Sequence, residues 1–226
     1  MERAPIITVD GPSGSGKGTL SRAVAAHAHW HLLDSGALYR LVALEGLARG
    51  LDPADVAGHA AVAQDMQVGF GSDPERERVT LAGRDVSADL RSEIAGQGAS
   101  RVAAWPLVRQ ALLARQKAFA KAPGLVADGR DMGTVVFPEA ELKVFLTASA
   151  EERAARRYKQ LKDKGSGVSL AALSREIAER DLRDSTRAVA PLKPAPDAHV
   201  IDSTGLGIAE VVDRVLALGR SLSLWT

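Results

Sequence analysis

The chain has 226 residues, and its 29 basic and 28 acidic side chains give a formal net charge of +1. This balance argues against broad binding to nucleic acid or to a membrane surface, and the absence of cysteine excludes disulfides and thiolate metal sites. The length suits one sizeable core with a small insertion. The chain starts without a signal-peptide pattern and has no apolar run long enough to span a bilayer, so we expect a cytoplasmic protein.

The first predicted elements surround a glycine-rich stretch. An apolar, β-branched strand at 6–9 enters it, and a helical pattern that starts near Lys17 leaves it. This arrangement cradles phosphate, because glycine backbones turn successive N–H groups toward one anion at the positive end of a helix. An ordinary glycine turn is the alternative, but it accounts for neither the lysine nor the flanking elements. The predicted phosphate-binding residues are Gly11, Pro12, Ser13, Gly14, Ser15, Gly16, Lys17, Gly18 and Thr19.

One position departs from the common form of this motif. Serine or threonine usually follows the lysine as a magnesium ligand, whereas here Gly18 follows Lys17 and the hydroxyl belongs to Thr19. We therefore expect the Thr19 hydroxyl to bond a phosphate oxygen, and magnesium to be held largely by phosphates and water.

A short strand predicted at 31–34 leads to a helix from about 37 to 48, which Ser35 would cap. Tyr39 and Arg40 lie in the first turns of this helix, where the helix dipole and a guanidinium make a second candidate anion site. A surface arginine beside a packed tyrosine explains the same residues equally well.

The next stretch changes period. Asp52 followed by proline predicts the start of a helix that reaches residue 63. Segments 67–70, 78–81 and 84–87 are then short and alternating, with a turn at 73–74, which predicts a small antiparallel sheet inserted into a βα chain.

Two helices are predicted after this insert. The first, at about 92–103, contains Gly96 and Gly98, which weaken it and favour a bend or hinge. The second runs from Pro106 to Lys121, and Arg109 is its polar residue of interest.

A buried-type strand at 125–128 ends in Asp128 and is followed by Arg130 and Asp131. Ligands of open α/β sheets lie beyond the carboxyl ends of the strands, where the phosphate loop also leaves its strand. A turn closed by an Arg–Asp pair is the alternative, but this shared edge favours a functional role.

A basic helix follows the next predicted strand, at 141–146, and a capping box at 149–152 opens it. Arg153, Arg156 and Arg157 share one face of this helix. Such runs usually form a solvated surface, but a Gly-Ser-Gly break at 165–167, between this helix and the next, favours a mobile lid.

The second of these helices ends in a charged segment at 180–187. Arg180, Asp184 and Arg187 recur at spacings of four and three, so they share a face if the helix persists. Both salt bridging and a shared binding site require that spacing. About five strands that alternate with helices predict a parallel, three-layer α/β fold.

Taken together, these stretches resemble the bacterial cytidylate kinases, which are P-loop nucleoside monophosphate kinases. The resemblance spans nearly the whole chain, and its motifs are GPSGSGKGT at 11–19, LDSGALYR at 33–40, SRVAAWPLVR at 100–109, ADGRDMGTVVFP at 127–138 and RDLRDSTRAVAPL at 180–192. It implies transfer of the γ-phosphoryl group of ATP to CMP or dCMP, with Mg²⁺. It also implies a P-loop NTPase-type core at 1–63 and 98–226, an NMP-binding insert at 64–97 and a short helical lid at about 153–187.

The resemblance implies a role for each candidate residue. The side chains that would contact the acceptor nucleotide on its phosphate side are Ser35, Tyr39, Arg40, Arg130 and Arg187. Those that would read the cytosine edge are Ser100, Arg109 and Asp131. Arg180 and Asp184 would contact the sugar, and Asp128 would orient hydrated magnesium. The residues that would act on the transferring phosphoryl group are Lys17, Arg130, Arg187 and the lid arginines, of which Arg153 and Arg157 are favoured.

The chemistry of these residue types fits phosphoryl transfer independently, since that reaction needs positioning and charge neutralisation more than a general base. The main alternatives are a P-loop kinase for another small acceptor, with Asp131 as its base, and an ATP-driven motor or assembly protein. A guanine-binding switch is disfavoured, because the chain has no asparagine for an Asn-Lys-x-Asp motif. We expect a monomer whose partners are small nucleotides, with neither nucleic acid nor membrane among them.

Overall fold

The computed structural model describes residues 3–70, 79–162 and 169–225. The chain forms two compact units, one built from 1–34 with 117–226 and the other from 35–116. The predicted turn at 73–74, the start of the strand predicted at 78–81 and the glycine break at 165–167 lie outside the described residues. Within the described part, no helix is long and apolar enough to cross a membrane.

The described part of the chain contains eight strands and eight α-helices. The strands are β1 (Ile6–Asp10), β2 (His31–Asp34), β3 (Val68–Phe70), β4 (Val79–Leu81), β5 (Arg84–Asp85), β6 (Leu125–Gly129), β7 (Leu142–Thr147) and β8 (His199–Asp202). The α-helices are α1 (Lys17–Ala28), α2 (Ser35–Ala48), α3 (Val56–Asp65), α4 (Glu93–Val102), α5 (Pro106–Lys117), α6 (Ala150–Lys162), α7 (Leu170–Thr186) and α8 (Ile208–Ser221). A single 3₁₀ turn (Asp89–Arg91) and a single π-helical turn (Met132–Val136) complete the set.

A five-stranded sheet forms the first unit, in the order β2-β6-β1-β7-β8, and every neighbouring pair is parallel. This confirms the predicted α/β fold with five parallel strands. The register places Asp34 beside Asp128 and Asp10 beside Gly129. The carboxyl ends of β1, β2 and β6 therefore lie side by side at one edge of the sheet, which is where such sheets bind ligands.

Helices α1 and α8 cover one face of this sheet. Leu20 and Val24 of α1, spaced by one helical turn, pack with Val215 of α8 against Ile7 and Val144 of the central strands. Each such buried aliphatic side chain contributes about 1.5–3 kcal/mol, so this core holds the end of β1 in a rigid setting.

The second unit contains helices and a small antiparallel sheet, β3-β4-β5, which confirms the predicted antiparallel element. Helix α4 continues through both of its glycines. A Cβ atom at Gly98 would lie 2.7 Å from the Cβ of Ala43 on α2. Gly98 therefore allows α4 to pack closely on α2, which is a packing reason for the glycine that the sequence pattern did not suggest.

Several helix boundaries differ from the predictions. The cap of α3 is Asp55, whose carboxylate accepts a hydrogen bond from the Gly58 N–H at 2.8 Å, so the predicted start at Asp52 is wrong. Asp52 instead closes a local turn by accepting from the Ala54 N–H at 2.7 Å, a role that competes with helix capping. Helix α2 begins at Ser35 itself, which therefore does not cap it, and α5 ends at Lys117 rather than at 121.

Candidate active site

The glycine loop joins β1 to α1 as the sequence predicts. Gly14 and Gly16 adopt φ angles of 79° and 95°, in the region that favours glycine. A Cβ atom at Gly11 would overlap the carbonyl oxygen of Leu146. Helix α1 begins at Lys17, so the loop ends at the positive end of this helix and is built to hold an anion.

Lys17 lies back over this loop, where its Nζ donates to the carbonyl oxygen of Pro12 at 3.2 Å. Burial lowers the pKa of Lys17, the charge of Arg130 lowers it further, and Asp128 opposes the shift, with a smaller lowering effect from Arg180. The two arginines therefore add to the cost of keeping Lys17 charged. A phosphate placed here would stabilise the charged form of the lysine.

Asp128 is buried at the end of β6. Burial raises its pKa, the positive charge of Lys17 opposes the rise, and the neighbouring carboxylate of Asp34 adds to it. A Cβ atom at Gly18 would lie 3.3 Å from an Asp128 carboxylate oxygen. The glycine after Lys17, which departs from the common motif, therefore leaves space beside this carboxylate.

Arg130 and Asp131 do not pair with each other, which was one alternative. Arg130 instead bonds Asp184 at 3.1 Å, and Arg187 reaches Asp131 at 3.5 Å. We call these four residues the paired-charge cluster, and its side chains are at most 17% exposed. Helix α7 ends at Thr186, so Arg187 lies just beyond the helix. The cluster ties the loop after β6 to the end of α7.

The arginine face of α6 is only partly solvated. Arg153 is buried and makes a two-pronged bond to Asp181 at 3.0 and 2.5 Å. It also donates to the carbonyl oxygens of Ala148 and, at 3.1 Å, of Ser13 in the glycine loop. These contacts hold Arg153 within the protein, so a role on the transferring phosphoryl group, which stays a prediction, requires Asp181 to release it.

The other two arginines of α6 differ in their surroundings. Arg156 donates to the Ser15 carbonyl oxygen at 3.3 Å and to that of Ser203 at 2.7 Å. Arg157 is partly buried on the same helix. Arg153 and Arg156 therefore both brace the glycine loop through its backbone carbonyls.

The remaining candidates belong to the second unit. The guanidinium carbon of Arg109 lies 5.9 Å from the ring centre of Tyr39, within the range of a cation–π contact, and both side chains are buried. Ser35 accepts a hydrogen bond from the buried amide of Gln116 at 2.9 Å. Ser100 is buried on α4 and Arg40 is partly buried on α2.

Asp10 is a site residue that the sequence reasoning missed. Its buried carboxylate accepts hydrogen bonds from the Met132 N–H at 2.9 Å and the Gly133 N–H at 2.8 Å. Burial raises the pKa of Asp10 to about 7, although the two backbone hydrogen bonds oppose the rise. The signal was present in the sequence, since an acid at the end of a buried strand is the same pattern that marked Asp128.

The raised pKa of Asp10 predicts a pH-dependent stability. Between pH 3.8 and about 7 the folded protein keeps a proton that the unfolded chain releases. The free energy of unfolding therefore falls by about 1.4 kcal/mol per pH unit in this window as pH rises, relative to a variant that cannot titrate. Urea unfolding of wild type and Asp10→Asn should show the difference between them changing by about 2–3 kcal/mol from pH 5 to 7. Parallel pH dependences would show that Asp10 keeps an ordinary pKa.

The parallel sheet defines the class of the protein. Its central strand leads through a glycine loop to a helix that begins with a buried lysine, which is the construction of a P-loop nucleotide-binding protein.

Comparison with known proteins gives the family. A family model described as cytidylate kinase matches residues 7–221. The cytidylate kinase of Aeromonas hydrophila is 58% identical over 216 residues, which are 96% of this chain and 94% of that protein. The cytidylate kinase of Stutzerimonas stutzeri is 58% identical over 219 residues, 96% of each chain, and that of Bordetella bronchiseptica is 56% identical over 218 residues, again 96% of each. The chain belongs to the cytidylate kinase family.

Proposed function

We propose that this protein transfers the γ-phosphoryl group of ATP to CMP or dCMP, giving ADP and CDP or dCDP. The observation that carries the proposal is the glycine loop with its buried Lys17, in a chain that matches the cytidylate kinase family from residue 7 to 221. We also infer a cytoplasmic monomer. We further propose that residues 64–97, a shorter stretch than the compact unit at 35–116, form the NMP-binding insert. The proposed lid spans about 153–187.

The donor side of the reaction uses the loop. Backbone N–H groups of the loop at 11–19 donate hydrogen bonds to the ATP phosphates, and Lys17 adds a charge in a setting from which water is largely excluded. Thr19 supplies a hydroxyl to a phosphate oxygen. Arg153 and Arg157 are the lid arginines proposed to contact the transferring phosphoryl group. Arg156 instead holds the glycine loop through the Ser15 carbonyl oxygen.

Magnesium fits this site in a particular way. Among the described residues there is no group of three or more His, Cys, Asp or Glu side chains that could hold a metal ion. Mg²⁺ bound to nucleotides keeps several waters and needs only one or two protein carboxylates, so Asp128, with space beside it at Gly18, suffices as the protein's contribution. When bound, the ion would neutralise phosphate charge.

The acceptor side uses the paired-charge cluster. A phosphate group competes well for an arginine fork, so Arg130 and Arg187 can bind the CMP phosphate when its oxygens replace Asp184 and Asp131. The released Asp184, with Arg180, then contacts the sugar. The acceptor oxygen is already ionised, so the reaction needs no dedicated base.

Base recognition uses residues with complementary hydrogen-bonding roles. Asp131 accepts from the cytosine amine, whereas Arg109 and Ser100 donate to the ring acceptors. The Tyr39 ring supports the Arg109 guanidinium, which limits its orientations. Ser35, Tyr39 and Arg40 are the proposed contacts on the phosphate side of the acceptor.

The product of γ-labelled ATP tests this function. With CMP present, the label should appear in CDP, and without CMP the release of labelled phosphate should be slow. Label found mainly in free phosphate would favour a motor or assembly protein. Label transferred to a small alcohol in preference to CMP would favour a kinase for another acceptor.

A further inference from the structure

Asp10 joins two loops that are distant in sequence. It is the last residue of β1, directly before Gly11 of the glycine loop, and its side chain reaches across to the turn that follows β6. The two N–H groups that it binds, those of Met132 and Gly133, open the π-helical turn. The first N–H groups of a helical turn lack partners within it, and the preceding Asp131 makes no side-chain cap. Asp10 supplies this cap from another strand.

The result is a clamp on a two-residue segment. On one side, Gly129 lies in the β1–β6 ladder opposite Asp10. On the other side, residues 132 and 133 are bound by the Asp10 carboxylate. Only Arg130 and Asp131 lie between the two fixed points, so the backbone of both is set by Asp10.

The π-helical turn also packs closely against the sheet. A Cβ atom at Gly133 would lie 2.8 Å from the Thr8 hydroxyl oxygen and 3.3 Å from carbon atoms of the Lys143 side chain. The turn thus lies directly on β1 and β7 and has no room to shift toward the sheet. Burial of Asp10 makes its two hydrogen bonds strong, because water does not compete for the carboxylate.

We propose that Asp10 is a positioning residue that fixes Arg130 and Asp131 relative to the phosphate loop and thereby sets the use of CMP. The inference rests on the proposed function. Asp10 acts through the turn and contacts neither nucleotide. Its two side-chain hydrogen bonds run to the turn after β6, which carries the proposed acceptor residues, so its loss should affect the acceptor more than ATP.

The test is Asp10→Asn assayed at pH 8, where the wild-type carboxylate is ionised. An amide accepts at one atom and donates at the other, so one of the two backbone N–H groups loses its partner. We expect kcat/KM for CMP to fall about 10- to 100-fold, KM for ATP to stay within about threefold, and amide exchange at Met132 or Gly133 to become at least about tenfold faster. Faster amide exchange with an unchanged kcat/KM for CMP would overturn the proposal. A KM for ATP that rises by as large a factor as kcat/KM for CMP falls would also overturn it. The exchange measurement does not depend on activity, so it separates failure of this inference from failure of the proposed function.

Two further variants complete the design. Thr8→Ala is the control, because Thr8 lies on the same strand, its hydroxyl has no hydrogen-bond partner among the described residues, and the substitution adds no atoms against the turn. This variant should retain the wild-type kcat/KM for CMP and the wild-type KM for ATP. Gly133→Ala displaces the same turn, because its Cβ atom would clash with the Thr8 hydroxyl. It replaces Asp10→Asn as the test variant if Asp10→Asn does not fold. It should lower kcat/KM for CMP with KM for ATP unchanged, and Thr8→Ala should restore it in the double variant; a normal Gly133→Ala enzyme would contradict the proposal.

Discussion

Replacing Lys17 with methionine is expected to lower kcat about a thousandfold while the protein stays folded. Methionine keeps most of the buried stem but removes the charge that would offset developing negative charge on the phosphates. In a water-excluded site, one such group is worth about 10²–10³ in kcat. Folding should survive, because burial lowers the pKa of Lys17 and an uncharged side chain avoids the desolvation of a buried charge. The measurement is kcat for CMP at saturating ATP, together with thermal unfolding.

Lys121→Ala is the matched control for removing a lysine. Lys121 is exposed and lies outside the candidate site, so this variant should have wild-type turnover. A folded Lys17→Met protein with near-normal kcat would contradict the assignment of the glycine loop as the site of ATP phosphates.

Replacing Asp131 with asparagine is expected to narrow the preference for CMP over UMP. As a carboxylate, Asp131 can only accept, which favours the cytosine amine and leaves an unpaired acceptor opposite the uracil carbonyl oxygen. An unpaired buried group costs about 1–3 kcal/mol, so the ratio of kcat/KM for CMP to that for UMP should fall about 10- to 100-fold. The variant also disturbs Arg187, which Asp131 pairs with at 3.5 Å. Loss of this pairing should lower kcat/KM for CMP and for UMP by the same factor, so it should cancel in their ratio.

Asp184→Asn provides the control for the base-reading role. Asp184 is a buried carboxylate of the same paired-charge cluster and bonds Arg130, but it has no proposed contact with the base. This variant should lower kcat/KM for both CMP and UMP, with little change in the ratio of the two values. If Asp131→Asn behaves in the same way, Asp131 does not read the base, and its partnership with Arg187 is its role.

The elements near the glycine loop could be predicted because their signals are local. The run of β-branched residues, the glycines and Lys17 all lie within one short stretch, and the structure forms the strand, loop and helix there. The capping box before α6 is also local, and the Glu152 N–H does bond the Ser149 hydroxyl at 3.2 Å. The error at α3 arose because two aspartates, Asp52 and Asp55, offered competing caps within one turn.

The pairing of charges could not be predicted, because it depends on tertiary structure. Arg130 has an acid directly after it in sequence, yet its partner is Asp184, 54 residues away. The spacing of 180, 184 and 187 suggested one shared helix face, whereas Arg187 lies beyond the helix end. The two hydrogen bonds of Asp10 likewise join residues more than 120 positions apart, and only the register of β1 with β6 brings them together.

The most direct test of the account is ADP production across the common nucleoside monophosphates, measured with purified protein, ATP and Mg²⁺. We expect CMP and dCMP to give fast turnover, UMP to be slower by at least about tenfold because of the unpaired acceptor, and the purine nucleotides to be near the background of ATP hydrolysis. Equal rates with all acceptors, or a rate that no nucleoside monophosphate increases, would contradict a CMP kinase.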